Sequence, residues 1–443
     1  MTSNLAKFPL FRTATIRGYA QLAPLGGISS CELKTTVLPN KLVVASSESQ
    51  SPITRISIVF RAGSRNEASD NLGVTHVLRN SAGLSTKNAS QFAIIRNIQQ
   101  VGAALYATTD REIVSYTLEG PRQAIEKALP FLTEVATQQV FKPWEVSDIT
   151  NRLLLDIATR PLQLRAIDLV HNAAFRSGLG NSLFIPKSQI GKISSETLQH
   201  YVASNFLSGR ASVIGLGVDI SDLESYAQGL KLETGEGNDT PSPYKGGELR
   251  SNKGGNTAFV AVAGEGAALR DAKEALAFAV LQRAIGVGPH IKWSTRDNGL
   301  LSKSIGASID NYASTTFNVS YADTGLFGIL IAAPSKSAGS LVETAVKLLK
   351  CTKISEEDVT RGKNQLKTSL LLDGESGTHT LQNIGTQTAI LRGASIQSPS
   401  QIVALVDSVS ANDVQCALKK AAKKLTLASI GNLTNVPYLD EIK

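Results

Sequence analysis

The sequence repeats itself once, and a repeat of this length constrains the fold more than any local pattern does. At an offset of 216 residues and without gaps, Ile193-Ser-Ser-Glu-Thr-Leu-Gln199 lies over Val409-Ser-Ala-Asn-Asp-Val-Gln415, and the same register carries Ile214-Gly215 onto Ile430-Gly431. At an offset of 213, Val146, Asn151 and Leu153 fall on Val359, Asn364 and Leu366. Each copy starts on a hydroxyl residue suited to cap a helix, runs through that helix and closes in a short apolar strand. With 443 residues the chain has room for two domains, and two related domains are expected. The turn-rich stretch Gly235-Glu-Gly-Asn-Asp-Thr-Pro-Ser-Pro243, followed by Lys245-Gly-Gly247 and Gly254-Gly255, divides them. The expected limits are residues 38–234 and 256–443, with 235–255 as linker.

Between these signposts the pattern switches between a period of two and one of 3.6. Arg55-Ile-Ser-Ile-Val-Phe60 alternates as a half-buried strand does, and Leu105 to Leu118 reads as two short strands turning near Asp110-Arg-Glu112. Residues 72–84 and 89–101 are expected to be helical. After Pro121, the residues Ile125, Leu129, Leu132 and Val135 form the stripe with which a helix covers a sheet. Pro143 suits the first turn of a helix running to about Ala158. No glycine-rich strand-to-helix turn accompanies this alternation and no GxxxxGK[ST] follows a strand, which excludes a phosphate cradle. The expected class is α+β, each domain a mostly antiparallel sheet covered by helices.

Composition narrows the function classes. The most hydrophobic run, Gly325-Leu-Phe-Gly-Ile-Leu-Ile-Ala-Ala333, is ended by Pro334, well short of the roughly 18 apolar residues a membrane span needs. Cys31, Cys351 and Cys416 have no CxxC spacing and are too few to staple the chain, which fits a reducing compartment. The formal charge of +8 is uneven: Lys7, Arg12 and Arg17 precede Glu32, the first acid. An acid-free start of Arg and hydroxyl residues is the composition of a mitochondrial transit peptide, expected over residues 1–19 with processing in Arg17-Gly-Tyr-Ala20. Without those three cations the charge is +5, too dilute for a nucleic-acid partner.

One segment carries chemistry. Gly73-Val-Thr-His76-Val-Leu-Arg79-Asn80 resembles the zinc helix of the pitrilysin/insulinase-like metallopeptidases, whose pattern is Gly-x-x-His-x-x-Glu-His. Histidines at i and i+4 share a helix face and bind Zn²⁺, and the glutamate between them takes a proton from the metal-bound water. Here Arg79 stands at the base position and Asn80 at the second-ligand position. A guanidinium about 4 Å from a dication would be repelled by roughly 8 kcal/mol at an effective dielectric of about 20. The family's third ligand is a glutamate further along, and the nearest match is Asp156, one methylene shorter. Active relatives also aim an arginine and a tyrosine at the substrate carbonyl. The matching stretch, Thr295-Arg-Asp-Asn-Gly-Leu-Leu-Ser302, has Ser302 at the tyrosine position and its arginine displaced by one. His76, Arg79, Asn80, Asp156 and Ser302 are therefore expected to form a degenerate site with neither catalytic nor metal-binding function. His171 sits at helical spacing among apolar residues and reads as structural, His200 and His290 lack carboxylates at metal spacing, and His379 is expected in a hydroxyl-rich loop.

The resemblance runs from about Leu38 to the end, through segments such as Arg111-Glu-Ile-Val-Ser-Tyr-Thr117, His171-Asn-Ala-Ala-Phe-Arg176 and Tyr321-Ala-Asp-Thr-Gly-Leu-Phe-Gly328. It is strongest to the branch of the family built into the mitochondrial ubiquinol–cytochrome c reductase. That implies two homologous domains closed as a clam-shell and a structural, non-enzymatic role on the matrix side of the inner membrane. Core protein 1, cytochrome b, cytochrome c one and the Rieske iron–sulfur protein are the implied partners, in a complex that is a dimer. The resemblance implies no haem, iron–sulfur cluster or quinone on this chain. The alternative is a presequence-binding, non-catalytic partner of the mitochondrial processing peptidase. That role uses an extended glycine loop, and Gly286-Val-Gly288-Pro-His290 is only a short version.

Overall fold

The structure is a computed structural model describing residues 32–48, 51–237, 239–289, 299–305, 311–393 and 396–442. The expected transit peptide, His290 and Arg296 lie outside the described residues. The first half supplies strands β1 Leu33–Val37, β2 Val43–Ser47, β3 Ile53–Phe60, β4 Ala104–Thr109, β5 Val114–Pro121 and β6 Ala211–Leu216. Its helices are α1 Val74–Asn80, α2 Gln91–Gln100, α3 Arg122–Thr137, α4 Pro143–Asp148, α5 Thr150–Thr159, α6 Leu162–Phe175, α7 Ser195–Asn205 and α8 Ile220–Gln228. The second half supplies β7 Gly247–Asn252, β8 Thr257–Glu265, β9 Ala313–Ser320, β10 Gly325–Pro334 and β11 Thr426–Gly431. Its helices are α9 Ala272–Ile285, α10 Leu300–Ile305, α11 Ser335–Cys351, α12 Glu356–Glu375, α13 Gly377–Leu391, α14 Pro399–Val406 and α15 Ala411–Ala422.

The strands form two sheets, ordered β1-β2-β6-β3-β5-β4 and β7-β11-β8-β10-β9. Leaving out β1, the first order maps onto the second strand for strand. In both, the first pair is parallel and every later pair antiparallel. The repeated residues fall in equivalent places. Ser194 caps α7 by accepting from the Thr197 amide, and Ser410 caps α15 by accepting from the Asp413 amide, each at 3.2 Å. Val146 and Leu153, like Val359 and Leu366, are buried on the corresponding helices.

Strand alternation explains how the halves meet. On β3, Ile56, Ile58 and Phe60 face the first half's own helices, and Val59 points to the other side; on β6, Val213 and Ile214 divide in the same way. The outward face of the first sheet is covered by Leu381, Ile384 and Ala389 of α13, from the second half of the chain. The second sheet reciprocates, its outward Ala261, Leu330, Ala428 and Ile430 meeting Ala166, Val170 and Ala174 of α6. Each half thus lends one helix to the other's sheet, and both sheets are buried on two faces. Gly385 lets α13 lie close, since a Cβ there would stand 3.2 Å from Val59 Cγ2. Polar groups join the halves as well. The Arg65 guanidinium bonds Glu112 at 2.6 Å and Asp323 at 2.5 Å, and Glu112 accepts from the Ala322 amide at 3.0 Å. Tyr321 and His171 share a hydrogen bond of 2.8 Å.

Three local expectations differ from what is observed. The stretch 235–255, expected as linker, contains β7, which pairs in parallel with β11. Its glycines mislead because Gly254 and Gly255, at φ +68° and +85°, make the tight turn from β7 into β8. The helix expected over 72–84 is only α1, bounded by Gly73 at φ +89° and Gly83 at φ +87°. The helix begun by Pro143 is two, α4 and α5, meeting at Ile149.

Candidate functional site

The site is built on the short helix α1. Gly73 has to be glycine, because its left-handed backbone brings it so near the 182–187 loop that a Cβ would lie 2.4 Å from Ile185 Cα. The first amides of α1 are taken by a buried carboxylate. Glu67 accepts from the Gly73 amide at 2.7 Å, the Thr75 amide at 2.9 Å and the Thr75 hydroxyl at 2.6 Å. Burial pushes the Glu67 carboxyl up to about 7 against the pull of those three donors.

His76 is fully buried one residue on, and both of its ring nitrogens are engaged. Nδ1 accepts from the Ile185 amide at 3.3 Å, which puts the ring proton on Nε2, and Nε2 lies 3.2 Å from Asp156 Oδ2 on α5. The same Oδ2 accepts from Asn80 Nδ2 at 3.4 Å and Arg79 Nη2 at 3.5 Å. Burial, then the Arg79 charge, lower His76 to about 4, so the imidazole is neutral at physiological pH. Burial alone would raise Asp156, but the donors His76 and Asn80 and the nearby Arg79 charge prevail and hold it below its ordinary value. Phe184 closes the site: its ring lies edge-on to His76 at 5.2 Å and beneath the Arg160 guanidinium at 4.6 Å.

Four of the five residues singled out from sequence therefore converge: His76, Arg79, Asn80 and Asp156. Ser302 does not join them. It lies half-buried on α10 in the second half, and among the described residues no hydrogen bond links it to the four. His379, expected in a loop, stands in the first turn of α13, 3.2 Å from Asp373. Sequence reasoning missed Phe184, Ile185 and Arg160, because a loop and a helix end far from α1 carry no periodic signal.

This donor set does not fit a zinc ion. Zinc would need the His76 Nε2 lone pair, yet that nitrogen carries a proton, and moving the proton to Nδ1 would set it against the Ile185 N–H. The carboxylate oxygen that would ligate is taken by three donors, one of them a cation. Among the described residues, no three or more His, Cys, Asp or Glu side chains are grouped to hold a metal. Beside the site a cavity of about 590 Å³ opens between α5, α6, the 182–187 loop and the end of β7. Arg160, Arg165, Lys187 and Lys253 line it, with Asp168 its one acid among the described residues.

Glu67 and His76 make opposite contributions to the pH dependence of stability. A carboxyl whose folded value is raised to about 7 loses stability as pH rises from about 4.5 to 7, by about 3 kcal/mol. A histidine whose folded value falls to about 4 loses a similar amount as pH falls from 6.5 to 4. In urea titrations across pH 4.5–6.5, Glu67→Gln is expected to gain stability with rising pH relative to the parent, and His76→Gln to lose it. Parallel slopes in all three proteins would contradict the assignment.

The profile described as Insulinase (Peptidase family M16) matches residues 42–187, and the Peptidase M16 inactive domain matches residues 192–366. The chain belongs to the insulinase-like peptidase family M16. Within it, the mitochondrial cytochrome b-c1 complex subunit 2 of Mus musculus is 39% identical over 99% of this chain and 97% of its own length. That of Homo sapiens is 38% identical over 93% and 92%. A probable mitochondrial-processing peptidase subunit alpha-2 of Arabidopsis thaliana is more distant, at 27% over 95% and 88%.

Proposed function

We propose that this chain is a non-catalytic core subunit of the mitochondrial cytochrome b-c1 complex, the ubiquinol–cytochrome c reductase, lying on the matrix side of the inner membrane. The observation that carries this reading is the end-to-end likeness to the mammalian subunits 2, well above that to the processing-peptidase subunits. The site supports a role without hydrolysis, because Arg79 and Asn80 spend the Asp156 carboxylate on themselves. In this role the chain acts through its surfaces. Core protein 1, cytochrome b, cytochrome c one and the Rieske protein are its neighbours in a dimeric complex. In this role its association with the membrane is peripheral, through those partners; among the described residues, no helix is long and apolar enough to cross a membrane. The two domains are the two sheets with their helices, the second starting at β7. The alternative, binding basic presequences for a processing peptidase, is disfavoured by the cationic lining of the cavity beside the site.

On native gels of mildly solubilised inner membranes, the endogenous protein is expected to co-migrate with the cytochromes b and c one. Migration as a small soluble heterodimer with presequence-cleaving activity would establish the alternative instead.

A further inference from the structure

The charge in the cavity beside α5 and α6 does not balance. Asp168, its one acid among the described residues, already accepts from Arg111 at 2.8 Å, Ser182 at 2.6 Å and Arg160 at 3.3 Å. Arg165 spends one amino group on the Ile157 carbonyl at 2.9 Å, and the Nε atoms of Arg160 and Arg165 are buried without a partner. Two guanidinium groups therefore crowd one spent carboxylate, and the exposed Lys187 and Lys253 add two more positive charges at the rim. Burial lowers the Arg160 pKa, the shared Asp168 carboxylate offsets part of that, and the Arg165 charge lowers it again, as expected of two like charges held to one anion.

The rest of the lining is aliphatic. Ile157, Leu169 and Ile430 line the cavity, and Leu154 joins them while 45% exposed. On the same two helices Leu155 and Leu164 are 61% and 52% exposed, an unusual density of exposed leucine around a charged opening. A volume of about 590 Å³ is of the size that holds small organic ligands, and too small for a folded partner.

We propose that this cavity binds an anionic amphiphile, a carboxylate or phosphate head on an aliphatic chain. The head sits among Arg160, Arg165, Lys187 and Lys253, and the chain lies along Ile157, Leu169 and Leu154. The head supplies the acceptors the arginines lack, and the chain covers leucines now facing water. Neither half of the lining would hold a basic peptide.

Isothermal titration of the full-length chain with oleate, below its micellar concentration, tests this. One saturable equivalent is expected. Lys187→Ala/Lys253→Ala, which alters only exposed side chains, is expected to weaken binding by about tenfold or more through loss of charge-assisted contacts. Arg165→Gln should weaken it further, while methyl oleate and inorganic phosphate should neither bind comparably nor displace oleate. Absence of saturable binding, or an affinity unchanged by the lysine pair, overturns the proposal. Equal binding of methyl oleate would show an apolar site, and displacement by phosphate at equal concentration a free-anion site, and either also overturns it.

Discussion

A chain carrying Arg79→Glu, Asn80→His and Asp156→Glu is expected to bind one zinc ion, where the parent binds none. The backbone geometry needed is already present: residues 76 and 80 are one helical turn apart on α1, and Asp156 reaches His76, Arg79 and Asn80 with a single oxygen at 3.2–3.5 Å. The three changes remove a cation worth roughly 8 kcal/mol of repulsion at about 4 Å and supply an imidazole and a longer carboxylate. Restoration will be incomplete, for a reason outside the motif. A zinc-bound histidine donates its second ring N–H to an acceptor, whereas His76 Nδ1 faces the Ile185 amide, itself a donor. Correcting that clash requires the 182–187 loop to move, so zinc affinity should fall about 10–100-fold below that of a site with a proper histidine partner. Competition with a chromophoric chelator measures it. Stoichiometric zinc in the parent, or none in the triple variant, would refute this account of the site.

The Ile185 amide shows where sequence reasoning stops. Residues that repeat or keep helical spacing were legible: the offset of 216 located the caps Ser194 and Ser410 and the strands that carry Gly215 and Gly431, because capping and strand burial are local demands. The four motif positions were legible too, through a resemblance to a known pattern. What was hidden depends on tertiary approach. That α6 covers the second sheet and α13 the first cannot be read from either helix, since each shows only an apolar face and not its partner. The 235–255 stretch failed for a related reason. Strand β7 is polar in sequence and owes its place to β11, more than 170 residues away, and not to any apolar alternation of its own. Phe184 and Arg160 belong to the same class, being site residues brought in by a loop and a helix end.

Arg65→Met is expected to lower stability by about 3–5 kcal/mol, the usual consequence of removing one partner from a buried ion pair. The Arg65 and Glu112 side chains are 7% and 5% exposed, so neither charge can turn to water when the other is lost. Burial already pushes the Glu112 carboxyl up, and the Arg65 charge pulls it back. Without the guanidinium, Glu112 keeps the Ala322 amide as its donor and is driven toward its protonated form. A carboxyl raised in this way loses stability as pH rises above about 4.5, so the deficit of the variant should grow from acid toward neutral pH. The location adds a second consequence. Arg65 and Glu112 belong to the first half, and Asp323 and Ala322 to the second, so the cluster adds a polar tie between two sheets whose apolar contact runs through α6 and α13. Calorimetry of the variant should show the unfolding endotherm broaden or split as the halves uncouple. Arg65→Met/Glu112→Met is expected to recover much of the loss, because it removes the stranded charge and leaves Asp323, 29% exposed, to be hydrated. If the double variant is as unstable as the sum of the two single changes, the cluster acts through packing and not through charge.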